Sequence, residues 1–589
     1  MQSRPRDTRG EEPSPWLHSE VHPTMLRPEL GWAPLNSQKR RSCYCFHRLL
    51  SYWRINIPPK TAAELEAESS LFVVGFPSGR YAATRRVSFH RLALALMAIL
   101  TQACIGSVFA FNTLAPWLDN YFKETASFRI FLTSILSFGV VAAVSGPWLE
   151  RCGPRLGLGV GCAMFGLGLI LSQVAVAVQS IDLLYVGYGG LVGAGQGILL
   201  LSSISTVQKW FPDWRGIVTA ICIGANSMGS VAWAWWYELL FRHSTALNYV
   251  FLLTGGISIV ILAISALVFR TPPPTFSVNG LDIHCLPVSS ASRNAQAVDQ
   301  YLGQGMTLVN YAALEPTQVE TDKDYFEQVK GLTLAQCIFS TDFFWLYVAC
   351  AANMMPGILF LPQAIQAFTN IANQSTQQAA TFVWNISLSN CSGVIVAPLA
   401  SDLLIRLFYV NPAFGRKLVF TVMLLTQAVM LPLVSANLTQ PVPWYALTFA
   451  CGGGFGLMPC LVSDLFGVYN SGTMYGLTLS SRAIGAAIVG FLLPSLQPTK
   501  SALDNQFQAM LILAIVGVVA MLFVRTNSVD RFYHGYRLTV CGMTVFQVPF
   551  RRKAPATEAS NTQRMESTNA FFLVNSSSMM QRSPIEESI

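Results

Sequence analysis

Charge is scarce in this chain: Asp, Glu, Lys and Arg make up 12% of its 589 residues and hydrophobic residues 52%, whereas soluble domains carry about 25% charge. A water-soluble globular protein is thereby excluded, and the mean hydropathy of +0.44 points to a polytopic membrane protein. Catalytic and metal-binding patterns are missing as well. The 13 Cys form no paired CxxC clusters. Cys43 and Cys45 lie near the amino terminus, and Cys104, Cys162, Cys222 and Cys350 fall inside apolar runs, so neither a disulfide framework nor a zinc site is expected. His90, His243 and His284 sit in loops with no Ser or Cys nucleophile at fixed spacing, which argues against an enzyme. The Gly-rich runs 189–203 and 451–459 lack the GKS or GKT of a phosphate loop. No cofactor is expected. The net charge of +8 comes from basic residues flanking apolar runs, where membrane topology places them, so nucleic acid is not an expected partner.

What is present is a series of apolar runs, each near the roughly 20 residues a bilayer requires. Six lie at about 91–111, 130–149, 156–178, 182–206, 216–240 and 249–269, and six more at about 341–366, 377–400, 417–436, 442–465, 473–497 and 507–524. The expected fold is all-α, with twelve transmembrane helices in two six-helix bundles. Its parts are a mostly disordered amino-terminal tail (1–88), a first bundle (89–270), a linker (271–338), a second bundle (339–525) and a carboxy-terminal tail (526–589). Residues 1–88 show no signal-peptide pattern, and their mixture of Glu11, Glu12 and Glu64 with Arg40, Arg41, Arg48 and Arg54 suits a transit peptide poorly. Arg151, Arg155, Lys209, Arg215, Arg406, Arg416 and Lys417 fall in loops on one side, which positive-inside bias makes cytosolic, along with both tails and the linker. The opposite loops hold the sugar-acceptor triplets at Asn373 and Asn437. The host membrane stays open.

Offsetting the chain by 256 residues superposes Gly216 on Gly472, Gly229 on Gly485 and Asn226 on Arg482, and an offset of 246 aligns Cys104 with Cys350 and Pro116 with Pro362. A duplicated six-span half accounts for this, and carriers built so hold their substrate near the midplane between the halves. The Gly-rich runs then read as close helix packing.

Arg482 is the residue that calls for explanation. It stands near the middle of the apolar run 471–496, where insertion scales charge about 2.5–3.5 kcal/mol for a guanidinium. Either it faces a polar cavity and meets an anionic substrate, or a carboxylate on a neighbouring helix holds it. Gln196, Asn226 and Asn353 are mid-span amides able to bind a carboxylate or hydroxyl, or to satisfy a neighbouring helix. No mid-span Asp, Glu or His offers an obvious proton relay.

The stretch GPWLERCGPRLGLG (146–159) resembles the Gly-x-x-x-Asp-Arg-x-Gly signature of the major facilitator superfamily. Glu150 stands at the acid position with Arg151 beside it, Gly146, Gly153 and Arg155 around it, and Asp402 at the degraded counterpart in the second half. Charges there can pair across the bundles in one conformation and part in the other. The stretches 153–172, 208–230 and 451–485, with KWFPDWRG and DLFGVYNSG, are similar to the oxalate/formate antiporter branch, which includes monocarboxylate transporter-like proteins. The resemblance implies a secondary carrier for small carboxylates, with Arg482 following the Tyr475–Gly476 pair as the span-eleven cation. It also implies aromatic cavity residues at Phe109 and Phe111. The second cation of the oxalate carriers falls on Val394, which favours monoanions such as pyruvate, lactate or formate, or a zwitterion such as an amino acid. A co-transported proton or counter-anion and the lipid bilayer complete the expected partners. A non-transporting receptor of carrier descent is the remaining alternative.

Overall fold

The computed structural model describes residues 51–55, 60–75, 81–83, 87–242, 246–273, 276–279, 281–284, 286, 325–371, 375–408, 410–492, 500–533, 535–540 and 543–549. Asn373 and His243 lie outside these residues. Helix α1 (Ala62–Glu68) and the hairpin β1–β2 (Val73–Gly75, Tyr81–Ala83) precede the first span, which is α2 (Arg91–Ile105), a 3-10 turn (Gly106–Val108) and α3 (Phe111–Phe122). Then come α4 (Ser127–Cys152), α5 (Pro154–Val178), α6 (Ile181–Trp210, with a π-helical stretch at Tyr185–Val192), α7 (Arg215–Arg242) and α8 (Val250–Val268). A small hairpin β3–β4 (Ser277–Val278, Leu281–Asp282) and α9 (Leu334–Ile338) lie between the halves. The second half is α10 (Thr341–Asn370), α11 (Thr376–Phe408), α12 (Pro412–Ala436), α13 (Pro441–Phe466), α14 (Val468–Leu492) and α15 (Lys500–Phe523), followed by α16 (Ser528–Arg531) and the hairpin β5–β6 (Gly535–Val540, Met543–Pro549).

Among the described residues, eleven of these helical segments are long and apolar enough to cross a membrane, and α14 is a further long helix packed among them. The helices form because their apolar faces meet lipid while every backbone group bonds within its own segment. Their close packing depends on small residues. A Cβ at Gly193 or Gly197 of α6 would meet the α4 carbonyls of Ser134 and Phe138, and one at Gly452 or Gly456 of α13 would meet the α11 carbonyls of Asn390 and Val394. The Gly-rich runs thus do equivalent jobs in the two halves, as the internal repeat predicts.

The halves meet mainly along α4 with α14 and α7 with α11, with α6 against α14 and α7 against α13 beside them. On the first, Gly139 leaves room for Ala483, Gly146 for Thr473, and Gly476 for the Ala142 carbonyl; on the second, Gly224 faces Ile395.

Order extends beyond the spans. The expectation of a mostly disordered segment before residue 89 did not foresee α1 and β1–β2, nor was β5–β6 foreseen in the carboxy-terminal tail. The reason is a buried cation rather than an apolar run. Arg270, just past α8, is fully buried, donates to the carbonyls of Ser70 (2.7 Å), Leu71 (2.5 Å) and Glu68, and lies 4.1 Å over the Phe89 ring. Lys60 adds bonds of 2.6 Å to Glu68 Oε2 and to the Thr271 carbonyl. At the other end, Asp530 accepts from the Thr539 amide (2.8 Å) and hydroxyl (2.7 Å), fastening β5 to α16.

Candidate functional site

Arg482 lies on α14 beside Ala483, where that helix touches α4. Its guanidinium carbon is 5.2 Å from the ring centre of Phe109, 5.9 Å from Phe138 and 5.1 Å from Phe455. Two of those rings belong to the first half and one to the second, so the cation sits between the halves. Cation–π attraction offsets part of its desolvation, about 0.5–2 kcal/mol for each good contact, but supplies no counter-charge. Among the described residues none of the ion pairs includes Arg482, and its Nε is buried without a hydrogen-bond acceptor. Tyr475, two helical turns earlier on the same side of α14, holds a buried phenol oxygen that also lacks a partner.

The other expected cavity residues divide. Phe109 faces the cation, whereas Phe111 is buried in the first half and stacks on Tyr188 at 4.2 Å. Residues two positions apart on a helix do not share a face; just before them, Gly106 is pressed onto the Asn226 carbonyl of α7, where no side chain fits. Asn226 donates to Gln102 Oε1 (3.2 Å), and Gln102 donates to Ser203 (2.7 Å), so this amide ties α7, α2 and α6 together. Gln196 donates to the Ile105 carbonyl (3.3 Å) and Asn353 to the Ala450 carbonyl (3.2 Å), each keeping a buried side-chain oxygen unpaired. Val394 is fully buried in the core of the second half. Phe138, Phe455 and Tyr475 escaped the sequence reading as site residues, because an aromatic in an apolar helix is ordinarily packing.

A second constellation occupies the basic end. Glu150 pairs with Lys209, and its carboxylate abuts Gly472 near the start of α14. Asp402 pairs with Arg416 (3.0 Å), and its carboxylate abuts Gly216 in the first turn of α7. Each acid therefore reaches across to the positive end of a helix in the opposite half, and the two receiving glycines are the pair that the 256-residue offset superposes. Asp464 joins the halves directly, pairing with Arg416 of its own half and with Arg215 of the other (3.4 Å). The interior side chains of this cluster are almost wholly buried. Removing one partner of such a pair costs about 3–5 kcal/mol, because the other charge is left without compensation.

The remaining signature residues point elsewhere. Gly153 makes the α4–α5 turn with a φ of +81°, a conformation glycine adopts without strain. Arg151 donates to the carbonyls of Tyr52 and Arg54 (2.7 Å to the latter) and lies 5.3 Å over the Tyr52 ring, and Arg155 pairs with Glu68 (3.2 Å). These two cations bind the segment before the first span. In the sequence Lys209, Arg215 and Arg416 read as topology markers only. Their acidic partners are 14 to 249 positions distant, which no local pattern reveals.

Residues 92–490 match the family described as the Major Facilitator Superfamily. The chain is 23% identical over 390 residues to an uncharacterized MFS-type transporter of Escherichia coli, YhjX, covering 66% of this chain and 84% of that protein. It is 22% identical to human monocarboxylate transporter 14, covering 71% and 87%. With the oxalate:formate antiporter of Oxalobacter formigenes it shares 26% identity over 183 residues, covering 30% and 42%. Among solved structures, the proton:xylose symporter XylE bound to 6-bromo-6-deoxy-D-glucose aligns with a TM-score of 0.53 at 16% identity, over 74% of this chain and 94% of that one, which bears on the fold alone. Two helical halves, charges locked across one end and a match covering most of the chain lead to one conclusion: this is an integral multi-pass membrane transporter belonging to the Major Facilitator Superfamily.

Proposed function

We propose that the chain carries small organic monoanions, such as pyruvate, lactate or formate, by alternating access, with Arg482 pairing with the substrate carboxylate. One observation carries this reading: a guanidinium between the two halves, ringed by Phe109, Phe138 and Phe455, with no acid among the described residues to neutralise it. An unpaired cation in a low-dielectric site is costly, and an anion relieves that cost, so occupancy eases passage through the occluded state. The stoichiometry favours one carboxylate, since the position of a second cation is taken by the buried Val394. The likeness to a monocarboxylate transporter and to an oxalate:formate antiporter supports the same substrate class. The charge cluster at the basic end serves as the gate, closed in this conformation, and the basic end is cytosolic.

The test is uptake into proteoliposomes of labelled formate, lactate, pyruvate, oxalate and neutral amino acids, with pH and internal counter-anion varied. Uptake of monocarboxylates that is lost in Arg482→Gln, with normal protein recovery, supports the reading. Transport of amino acids alone, or unchanged monocarboxylate uptake by Arg482→Gln, would overturn it. Dependence on an imposed pH gradient or on an internal anion separates proton symport from exchange.

A further inference from the structure

We infer that the described stretch of the linker, residues 276–279 and 281–284, is a latch that holds the basic end of the transporter shut, in addition to the ion pairs themselves. The stretch is attached to both halves. On the first, Phe276 packs edge-on against Trp210, ring centres 4.7 Å apart, and the Ile283 carbonyl accepts from an Arg215 Nη at 2.9 Å. That same guanidinium gives its other Nη to Asp464 across the interface. On the second half, the His284 ring, only 5% exposed, lies edge-on at 4.8 Å from the Tyr469 ring at the start of α14.

The latch is shaped for this seat. Asp282 accepts from the backbone amides of His284 (2.8 Å) and Leu286 (2.9 Å), fixing the turn that carries His284 inward. The far end of the linker docks alongside: Asp282 faces Lys330 (3.4 Å), Tyr325 donates to the Asp464 carbonyl (3.3 Å), and Asn470 donates to the Leu332 carbonyl (3.0 Å). When the halves separate at this end, Arg215 leaves Asp464 and Tyr469 moves off with α14, so the latch cannot keep both attachments. Contacts made in one conformation only shift the equilibrium toward it. Transport therefore requires the linker to let go once per cycle, and whatever occupies or modifies it sets the opening rate.

The experiment needs no knowledge of the substrate, so it stands apart from the anion reading. Cys460 is fully buried beneath the gate, its Sγ 4.0 Å from the Arg215 carbonyl, while Cys152 is exposed. In the full-length protein in lipid nanodiscs, N-ethylmaleimide labelling is followed peptide by peptide, with Cys152 as internal reference. His284→Ala and Tyr469→Ala are each expected to raise the Cys460 rate at least about threefold, the effect of losing one modest contact from the closed state. In a second protein carrying His284→Cys and Tyr469→Cys, oxidation is expected to slow Cys460 labelling below the wild-type rate, and reduction to restore it. Unchanged Cys460 labelling in folded alanine variants overturns the latch. So does a cross-linked protein that still labels at the wild-type rate, or a cysteine pair that cannot be oxidised. Where the alanine variants fail to fold, the cross-link decides.

Discussion

The centre of the molecule and its basic end treat charge in opposite ways. At the basic end Glu150, Lys209, Asp402, Arg416, Asp464 and Arg215 are buried and paired within the protein. At the centre Arg482 meets aromatic faces and no acid among the described residues. A cluster that neutralises itself can hold two halves together and asks nothing of a ligand. A cation left without its complement is a site only when something from outside completes it. On the proposed function the contrast separates holding from carrying, and it can be probed by moving charge in one place and asking whether the other responds.

The largest effect is expected at the centre. Arg482→Gln should lower monocarboxylate uptake at least about 30-fold, since truncating one member of a desolvated charge pair costs about 2–5 kcal/mol; Cys460 labelling should stay near wild type, because the gate is untouched. Asp464→Asn should do the reverse. It strips Arg215 and Arg416 of a shared partner, weakening the closed end by about 3–5 kcal/mol, read as rapid Cys460 labelling and a lower melting temperature. Adding Arg215→Gln should recover part of that loss, a coupling that a double-mutant cycle quantifies.

Smaller changes sharpen the distinction. Phe455→Leu removes one face of the cage and should weaken apparent substrate affinity by about 0.5–2 kcal/mol at unchanged stability. Phe111→Leu, which breaks a stack on Tyr188, should instead lower the melting temperature, at about 0.5–1.5 kcal/mol, and leave affinity alone. His284 makes linker docking depend on pH. Burial, and then the cations Lys330, Arg215 and Lys209, push its imidazole down to about 4 from the ordinary 6.5, with Asp282 opposing; Tyr469 supplies the facing ring. The undocked linker thus binds the proton more readily, so docking is complete above about pH 6.5 and is lost progressively as pH falls toward about 4. Cys460 labelling should rise on acidification through that window, and His284→Phe should flatten the response. Smallest of all, Arg155→Gln breaks a partly exposed pair with Glu68 and should shift stability by less than about 1 kcal/mol.

Much of the architecture could be read from residues alone. Hydropathy located the spans because lipid demands about 20 apolar residues wherever a helix crosses, and the repeat superposes Gly216 on Gly472, which the structure places against Asp402 and Glu150. Arg482 stood out because a lone charge in an apolar run has few physical explanations. The cage around it did not stand out: Phe138 and Phe455 look like any other phenylalanine in a membrane helix, and only the meeting of α4, α13 and α14 singles them out. Asn226 shows the converse. Its polarity within a span leaves a substrate contact and a bond to a neighbouring helix equally open, and only the structure places its amide on Gln102, as buried amides in lipid take near neighbours. The ordered segment before the first span was invisible for a different reason. What secures it is Arg270 donating to backbone carbonyls, and carbonyls leave no trace in composition.

That segment also determines what the loop between α4 and α5 presents to its surroundings. The backbone at Tyr52 and Arg54 accepts from Arg151, and Glu68 pairs with Arg155, so both signature cations are engaged within the protein. A chain shortened to begin at the first span would remove these partners, and anionic head groups would compete to replace them, each such contact worth about 1 kcal/mol. The trimmed protein would ride on its lipids differently, and its rate would become a property of the membrane chosen for the assay.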